Sequence, residues 1–159
     1  MTDAANITID EMTVEGAELL ASVHEICFEN SPEQAWQKHE FQSLFNVTGT
    51  ISYVMSINGQ PIGFILVREI LDEAEILTFC ILPKWCNNGY ATYLLEWIIK
   101  KLQLQSFKRL FLEVRENNDA AIKLYKKCTF KVIGRRKGYY RGHQGDKIDA
   151  LVMHYELGV

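Results

Sequence analysis

The chain has 159 residues, 48% of them apolar, enough for one domain with its own hydrophobic core and too few for a second. Seventeen Lys and Arg against 20 Asp and Glu give a net charge of −3, which argues against a general nucleic-acid binder with a basic surface. Residues 41–67 carry no charge, but Gln, Ser, Asn, Thr and Gly interrupt them throughout, so no membrane span is expected.

In chain order, Ile7-Thr8-Ile9 is compatible with a short strand. Leu19, Leu20, Val23, Ile26 and Cys27 then recur at i, i+1, i+4, i+7 and i+8, the apolar stripe of a helix. Ser31-Pro32-Glu33 has the form of an N-cap followed by proline at the first helical position. It predicts a second helix carrying Trp36, Phe41, Leu44 and Phe45. A hairpin follows: Ile51 to Ile57 alternates, Asn58-Gly59 makes the turn, and Ile62 to Val67 returns. Asp72 and Glu73 link it to an apolar strand from Ile76 to Leu82, which Pro83 closes.

From Asn88 to Leu102 the period is helical, with Ala91, Leu94, Leu95, Ile98, Ile99 and Leu102 on one side. A strand over Arg109 to Val114, a helix from about Asn118 to Cys128 and a strand from Phe130 come next. A basic loop spans Arg135 to Lys147 and a final strand Ile148 to Leu157. The order β-α-α-β-β-β-α-β-α-β-β implies a mixed sheet with helices packed on it, an α/β (α+β) fold occupying residues 1–159 as a single domain.

Two ionisable residues stand where packing alone would favour hydrocarbon. Glu113 interrupts the apolar run Leu110-Phe111-Leu112-Glu113-Val114, and Tyr125 shares a helical face with Ala121, Leu124 and Cys128. Periodicity leaves two readings of each. Glu113 is either a catalytic carboxylate or half of an exposed pair with Arg115 on the same strand face, and Tyr125 either a catalytic phenol or a core residue with its hydroxyl at the rim. Gly89, between a strand and a helix, suits an anion held at a helix N-terminus and equally suits an ordinary loop. It lies in neither GxGxxG nor GxxxxGK[ST].

Cys27, Cys80, Cys86 and Cys128 form no CxxC pair and read as buried thiols of a reducing cytoplasm. His24, His39, His143 and His154 are scattered without ligand spacing, and no metal is expected. Trp36, Trp85 and Trp97 read as packing residues. The stretch MTDAANITIDEM lacks the basic patch and apolar run of a secretory signal, which points to the cytoplasm.

From Ala74 to Leu157 the chain resembles the GNAT N-acetyltransferases, and within them the RimI-type enzymes that acetylate a ribosomal-protein alanine. The matching pieces are Ala74-Glu75-Ile76-Leu77-Thr78, Gly89-Tyr90-Ala91, Leu112-Glu113-Val114-Arg115, Asn118 with Ala120-Ala121-Ile122, Leu124-Tyr125, Tyr139-Tyr140 and Asp149-Ala150. The resemblance implies a mixed, mostly antiparallel sheet flanked by helices, and acetyl-CoA as co-substrate. It implies that the amides of Asn87, Asn88, Gly89, Tyr90, Ala91 and Thr92 hold the pyrophosphate. It further implies that Phe79, Cys80 and Ile81 pair with the pantetheine arm, and that Asn118 also touches the cofactor. Glu113 takes the place of the general base and Tyr125 that of the general acid. Cys86 stands where the family's signature opens with Gln or Arg, which predicts weaker cofactor binding rather than none.

The implied acceptor is the N-terminal amine of a protein, probed by the loop at Tyr139 and Tyr140. An α-amine, with a pKa of about 8, is neutral in roughly a tenth of molecules near pH 7. A lysine at about 10.4 is neutral in roughly one per thousand, so a carboxylate has less to do for the former. A GNAT enzyme acting on lysine or small amines and a non-catalytic acyl-CoA-binding module are the alternatives. No contact with nucleic acid or membrane is expected.

Overall fold

The computed structural model describes residues 4–141 and 144–158. Seven strands form one sheet in the order β1-β2-β3-β4-β5-β7-β6. They are β1 (Ile7–Met12), β2 (Thr50–Ile57), β3 (Gln60–Ile70), β4 (Glu73–Ile81), β5 (Arg109–Arg115), β6 (Lys131–Arg141) and β7 (Lys147–Glu156). Only β4 and β5 run parallel, because the helix α3 (Tyr90–Leu104) carries the chain back between them; the other neighbours are antiparallel. The expected mixed, mostly antiparallel sheet is borne out.

Local chemistry explains most elements. Asn58 and Gly59 both have positive φ, 50° and 82°, as a tight two-residue hairpin turn needs. Helices α1 (Ala17–Cys27) and α2 (Lys38–Phe45) cover one sheet face through Leu20, Val23 and Phe41 on Val54, Phe64 and Leu66. Helices α3 and α4 (Asp119–Lys127) cover the other, with Leu94, Leu95, Ile98 and Leu102 against Met55, Ile65, Val67, Leu110 and Leu112. Asn118 caps α4, its side chain accepting from the Ala121 N–H at 3.2 Å. Gly63, opposite Ile81, is required by close approach: a Cβ there would lie 2.4 Å from the Cys80 carbonyl oxygen.

Two expected boundaries fail. Ser31-Pro32-Glu33 does not open the second helix, which begins at Lys38 with Gln37 as N-cap. The Ser31 hydroxyl instead accepts from the Glu33 N–H at 3.1 Å in a local turn, and the Trp36 N–H is taken by His24, leaving Trp36 outside the helix. The supposed loop from Arg135 is strand as far as Arg141, with irregularities between Val132 and Gly134 and between Arg136 and Tyr140. As the sheet edge, β6 accommodates charges that a central strand would not. Asp149 holds the irregular part, accepting from the Gly138 N–H at 2.9 Å and from Arg135 at 3.0 Å. Gly142 and His143 lie outside the described residues.

Candidate active site

Strands β4 and β5 pair only from Glu73↔Arg109 to Ile76↔Leu112. Beyond that, Thr78, Phe79, Cys80 and Ile81 keep their partners on β3, while Glu113, Val114 and Arg115 keep theirs on β7. Among the described residues the inner edge of β4 has no strand beside it from Leu77 onward. The result is a fork whose β4 arm offers backbone donors and acceptors over the predicted residues Phe79, Cys80 and Ile81.

The β4 arm leads through a 3-10 turn, Pro83–Trp85, to the helix mouth. Asn87 and Gly89 adopt positive φ, 62° and 83°, which turns the chain into α3. No side chain caps the helix, and the first intrahelical bond runs from the Tyr93 N–H to the Gly89 carbonyl at 3.0 Å. The N–H groups of Tyr90, Ala91 and Thr92 therefore have no intrahelical acceptor. A Cβ built on Gly89 meets nothing within 4 Å, so the mouth is open. The arrangement fits a diphosphate, since N–H groups and helix dipole both favour an anion.

Asn88 is committed inside the loop, its amide donating to the carbonyls of Cys86 at 3.0 Å and Trp85 at 3.4 Å. The Cys86 thiol turns back to the strand end, 3.5 Å from the Ile81 oxygen and 3.6 Å from that of Leu82. It stitches the loop to β4 and brings no positive charge to the mouth. Of the four thiols, Cys128 is buried and Cys86 exposed, while Cys27 and Cys80 are half-buried, so the expectation of four buried thiols holds only in part.

Within the fork, Phe79, Glu113, Asn118, Tyr125, Glu33 and Tyr140 border a cavity of about 120 Å³. Tyr125 is 8% exposed, packs on Phe130 at 5.6 Å, and has no hydrogen-bond partner for its hydroxyl among the described residues. Burial, with Tyr140 adding to it, pushes the phenol's pKa upward, so it stays protonated at neutral pH. Both Glu113 oxygens accept from one Arg136 nitrogen, at 2.9 and 3.2 Å, and that guanidinium lies 3.9 Å from the Tyr139 ring centre. Arg115 pairs with Glu33 instead. The alternative pairing of Glu113 with Arg115 is thus not formed.

A larger cavity of about 550 Å³ opens on the α1 side and shares Glu33, Glu113 and Tyr140 with the first. His24, Trp36 and Glu75 also border it. Burial raises the Glu75 carboxyl, and neighbouring Glu113 raises it further. His24 is 2% exposed, accepts the Trp36 N–H on Nδ1 at 3.0 Å, and has Nε2 3.1 Å from the Thr78 hydroxyl. An Nδ1 that accepts leaves Nε2 protonated and donating. Burial lowers the ring's pKa to about 4, so it is neutral.

All the predicted site residues therefore lie on the fork, the helix mouth or the α4 face beside them, with Glu113 and Tyr125 on one cavity. Sequence reasoning missed Glu33, Glu75, Arg136 and His24. The Arg135-Arg136 pair gave a signal of charge, while the others gave none, because each acquires its meaning from a partner 12 or more residues away.

The family model described as the acetyltransferase (GNAT) family matches residues 17–130. The [Ribosomal protein bS18]-alanine N-acetyltransferase of Haemophilus influenzae is 38% identical over 96 residues, 60% of this chain and 65% of that protein. The Escherichia coli K12 enzyme of the same name is 32% identical over 103 residues, 65% of this chain and 69% of that protein. The match thus spans a little under two thirds of the Haemophilus relative's length. The crystal structure of the ribosomal-protein-S18-alanine N-acetyltransferase from E. coli superposes with a TM-score of 0.88 at 25% identity, covering 97% of this chain and 96% of that one. Arabidopsis thaliana NAA60, solved in complex with acetyl-CoA, shares the fold at a TM-score of 0.77 and 20% identity, covering 95% and 98%. Forked sheet, uncapped helix mouth and family match agree: the chain belongs to the GNAT family of acetyltransferases, whose co-substrate is acetyl-CoA.

Proposed function

We propose that this protein transfers the acetyl group of acetyl-CoA to the N-terminal α-amine of a protein, with the N-terminal alanine of ribosomal protein bS18 as the acceptor. One observation carries the reaction: a small cavity bordered by Glu113 and Tyr125 shares Glu113, Glu33 and Tyr140 with a larger cavity of a size to admit a peptide end. The named acceptor rests on the bS18-alanine N-acetyltransferases that the chain resembles.

The open edge of β4 at Phe79, Cys80 and Ile81 receives the pantetheine amides. The free N–H groups of Tyr90, Ala91 and Thr92, with the loop amides of Asn87, Asn88 and Gly89, receive the diphosphate, and Asn118 flanks the arm. Bound acetyl-CoA supplies an acetyl group activated as a thioester. Glu113, oriented by Arg136, accepts the proton that the acceptor's ammonium must lose, directly or through water, so that the nitrogen lone pair is free to bond the acetyl carbon. As the carbon–sulfur bond breaks, the Tyr125 hydroxyl delivers its proton to the departing sulfur. The nitrogen sheds its second proton as the amide forms; passed through water, it replaces the one Tyr125 gave to sulfur, and the proton on Glu113 returns to solvent. No residue is acetylated.

The test is acetyl transfer to an alanine-ended peptide with the bS18 N-terminal sequence, beside an N-blocked lysine peptide and a polyamine. Turnover confined to the first, lost in Glu113→Gln and Tyr125→Phe while acetyl-CoA still binds, is expected. Preference for the lysine peptide or polyamine overturns the acceptor class, and unaltered turnover in both variants overturns the assigned roles.

A further inference from the structure

The segment between α1 and α2 brings Glu33 to the fork and Trp36 to the wall of the larger cavity. Between Pro32 and Trp36, among the described residues, and apart from the local Glu33 N–H to Ser31 turn bond, it is hydrogen-bonded to the rest of the protein at two points only. One is the Glu33–Arg115 ion pair; the other is the Trp36 N–H on His24 Nδ1. The His24 ring lies between Phe28 at 4.0 Å and Trp36 at 5.1 Å, tilted 17° and 12°, and Phe41 meets it edge-on at 5.5 Å. Its other nitrogen reaches Thr78, on the β4 arm two residues past the last β4–β5 pair.

We infer that His24 is a positioning residue for the acceptor. It fixes the acceptor-side segment to the β4 arm, so that the wall formed by Phe28, Glu33 and Trp36 stands at a set distance from Glu113. This rests on the reading of the larger cavity as the acceptor's entrance. Three features separate His24 from an ordinary core histidine. It borders the cavity, both ring nitrogens are engaged, and they are engaged to different elements, one of them a backbone amide in an otherwise weakly tied segment. With both partners fixed, only the neutral tautomer with its proton on Nε2 satisfies the pair.

His24→Asn and His24→Gln test this together, since both lose the ring stacking equally. Asn places its amide where Nδ1 was and keeps an acceptor for the Trp36 N–H; Gln reaches toward Thr78 and leaves that N–H bare. Trp36 amide hydrogen exchange is measured in both full-length proteins, with KM for the alanine-ended peptide, KM for acetyl-CoA, and kcat. Trp36 is expected to stay protected in the Asn variant and to exchange faster in the Gln variant. The acceptor KM of the Gln variant is expected about tenfold above that of the Asn variant, the effect of one lost hydrogen bond, with kcat and the acetyl-CoA KM alike in the two. Equal acceptor KM in the two variants, or equal Trp36 exchange, overturns the inference. A parent protein that acetylates no peptide overturns the proposed function instead, and the exchange comparison then still reads the His24 contact.

Discussion

Lowering the pH from 7.5 to 5 should remove about 2 kcal/mol of folding free energy through His24 alone. The ring is 2% exposed, and burial moves its pKa from 6.5 to about 4. The unfolded chain takes up a proton near 6.5 and the folded protein only near 4, so the unfolded state binds more protons between those values. Stability is complete above the unfolded pKa and drains away as pH falls toward the folded one. The whole interval corresponds to about 3 kcal/mol, an upper figure because the ring borders a cavity open to water. Of this, about 2 is gone by pH 5, which for a protein of this size lowers Tm by about 4–8 °C. Glu69 and Glu75, whose carboxyls burial raises, act in the opposite sense, while Asp72 and Asp149, held low by hydrogen bonds, give way only in stronger acid. Urea denaturation of the parent and of His24→Asn at both pH values isolates the histidine by difference. Equal losses in the two proteins would refute the argument.

Other substitutions separate fold from chemistry. Tyr125→Phe removes a hydroxyl with no hydrogen-bond partner among the described residues, so stability should change by less than about 0.5 kcal/mol while kcat falls about 100-fold; thiol release beside a melting curve reads both, and an unaltered kcat dismisses the acid role. Glu113→Gln should lose about 100-fold in kcat/KM near pH 7 and regain only about fivefold of it toward pH ~8, as the neutral fraction of the acceptor's α-amine rises from roughly a tenth to about half. A pH–rate profile parallel to the parent's would exclude Glu113 as the base. Gly89→Ala should cost about 1 kcal/mol for its left-handed backbone and raise the acetyl-CoA Kd about tenfold by crowding the helix mouth; calorimetry showing unchanged Kd would mean the diphosphate sits elsewhere. Gly63→Ala should destabilise by about 2–4 kcal/mol, because its Cβ would collide with β4 backbone; a melting temperature within a degree of the parent's contradicts the close approach.

Local chemistry and period, all readable in the chain, determined the element order, the Asn58-Gly59 hairpin, the α3 stripe and the glycine at the helix mouth. Each depends on neighbours within a turn or a strand. Family resemblance added Glu113 and Tyr125, which periodicity alone left undecided. Where a residue's hydrogen bonds leave its own neighbourhood, the sequence misled. Ser31-Pro32-Glu33 looked like a helix start, and the Trp36 amide went to His24; Arg135 to Arg141 looked like a loop and became an edge strand tied by Asp149. The meeting of Glu113 and Tyr125, the proposed acid–base pair, depends on tertiary structure. Leu112 and Val114 face α3 and α4, so strand alternation turns Glu113 toward the opposite face, while Tyr125 belongs to the α4 side. In a continuous sheet the two would be separated by its thickness. They reach one cavity only because β4 leaves β5 after Ile76, a divergence set by three-dimensional packing that no period in the sequence encodes.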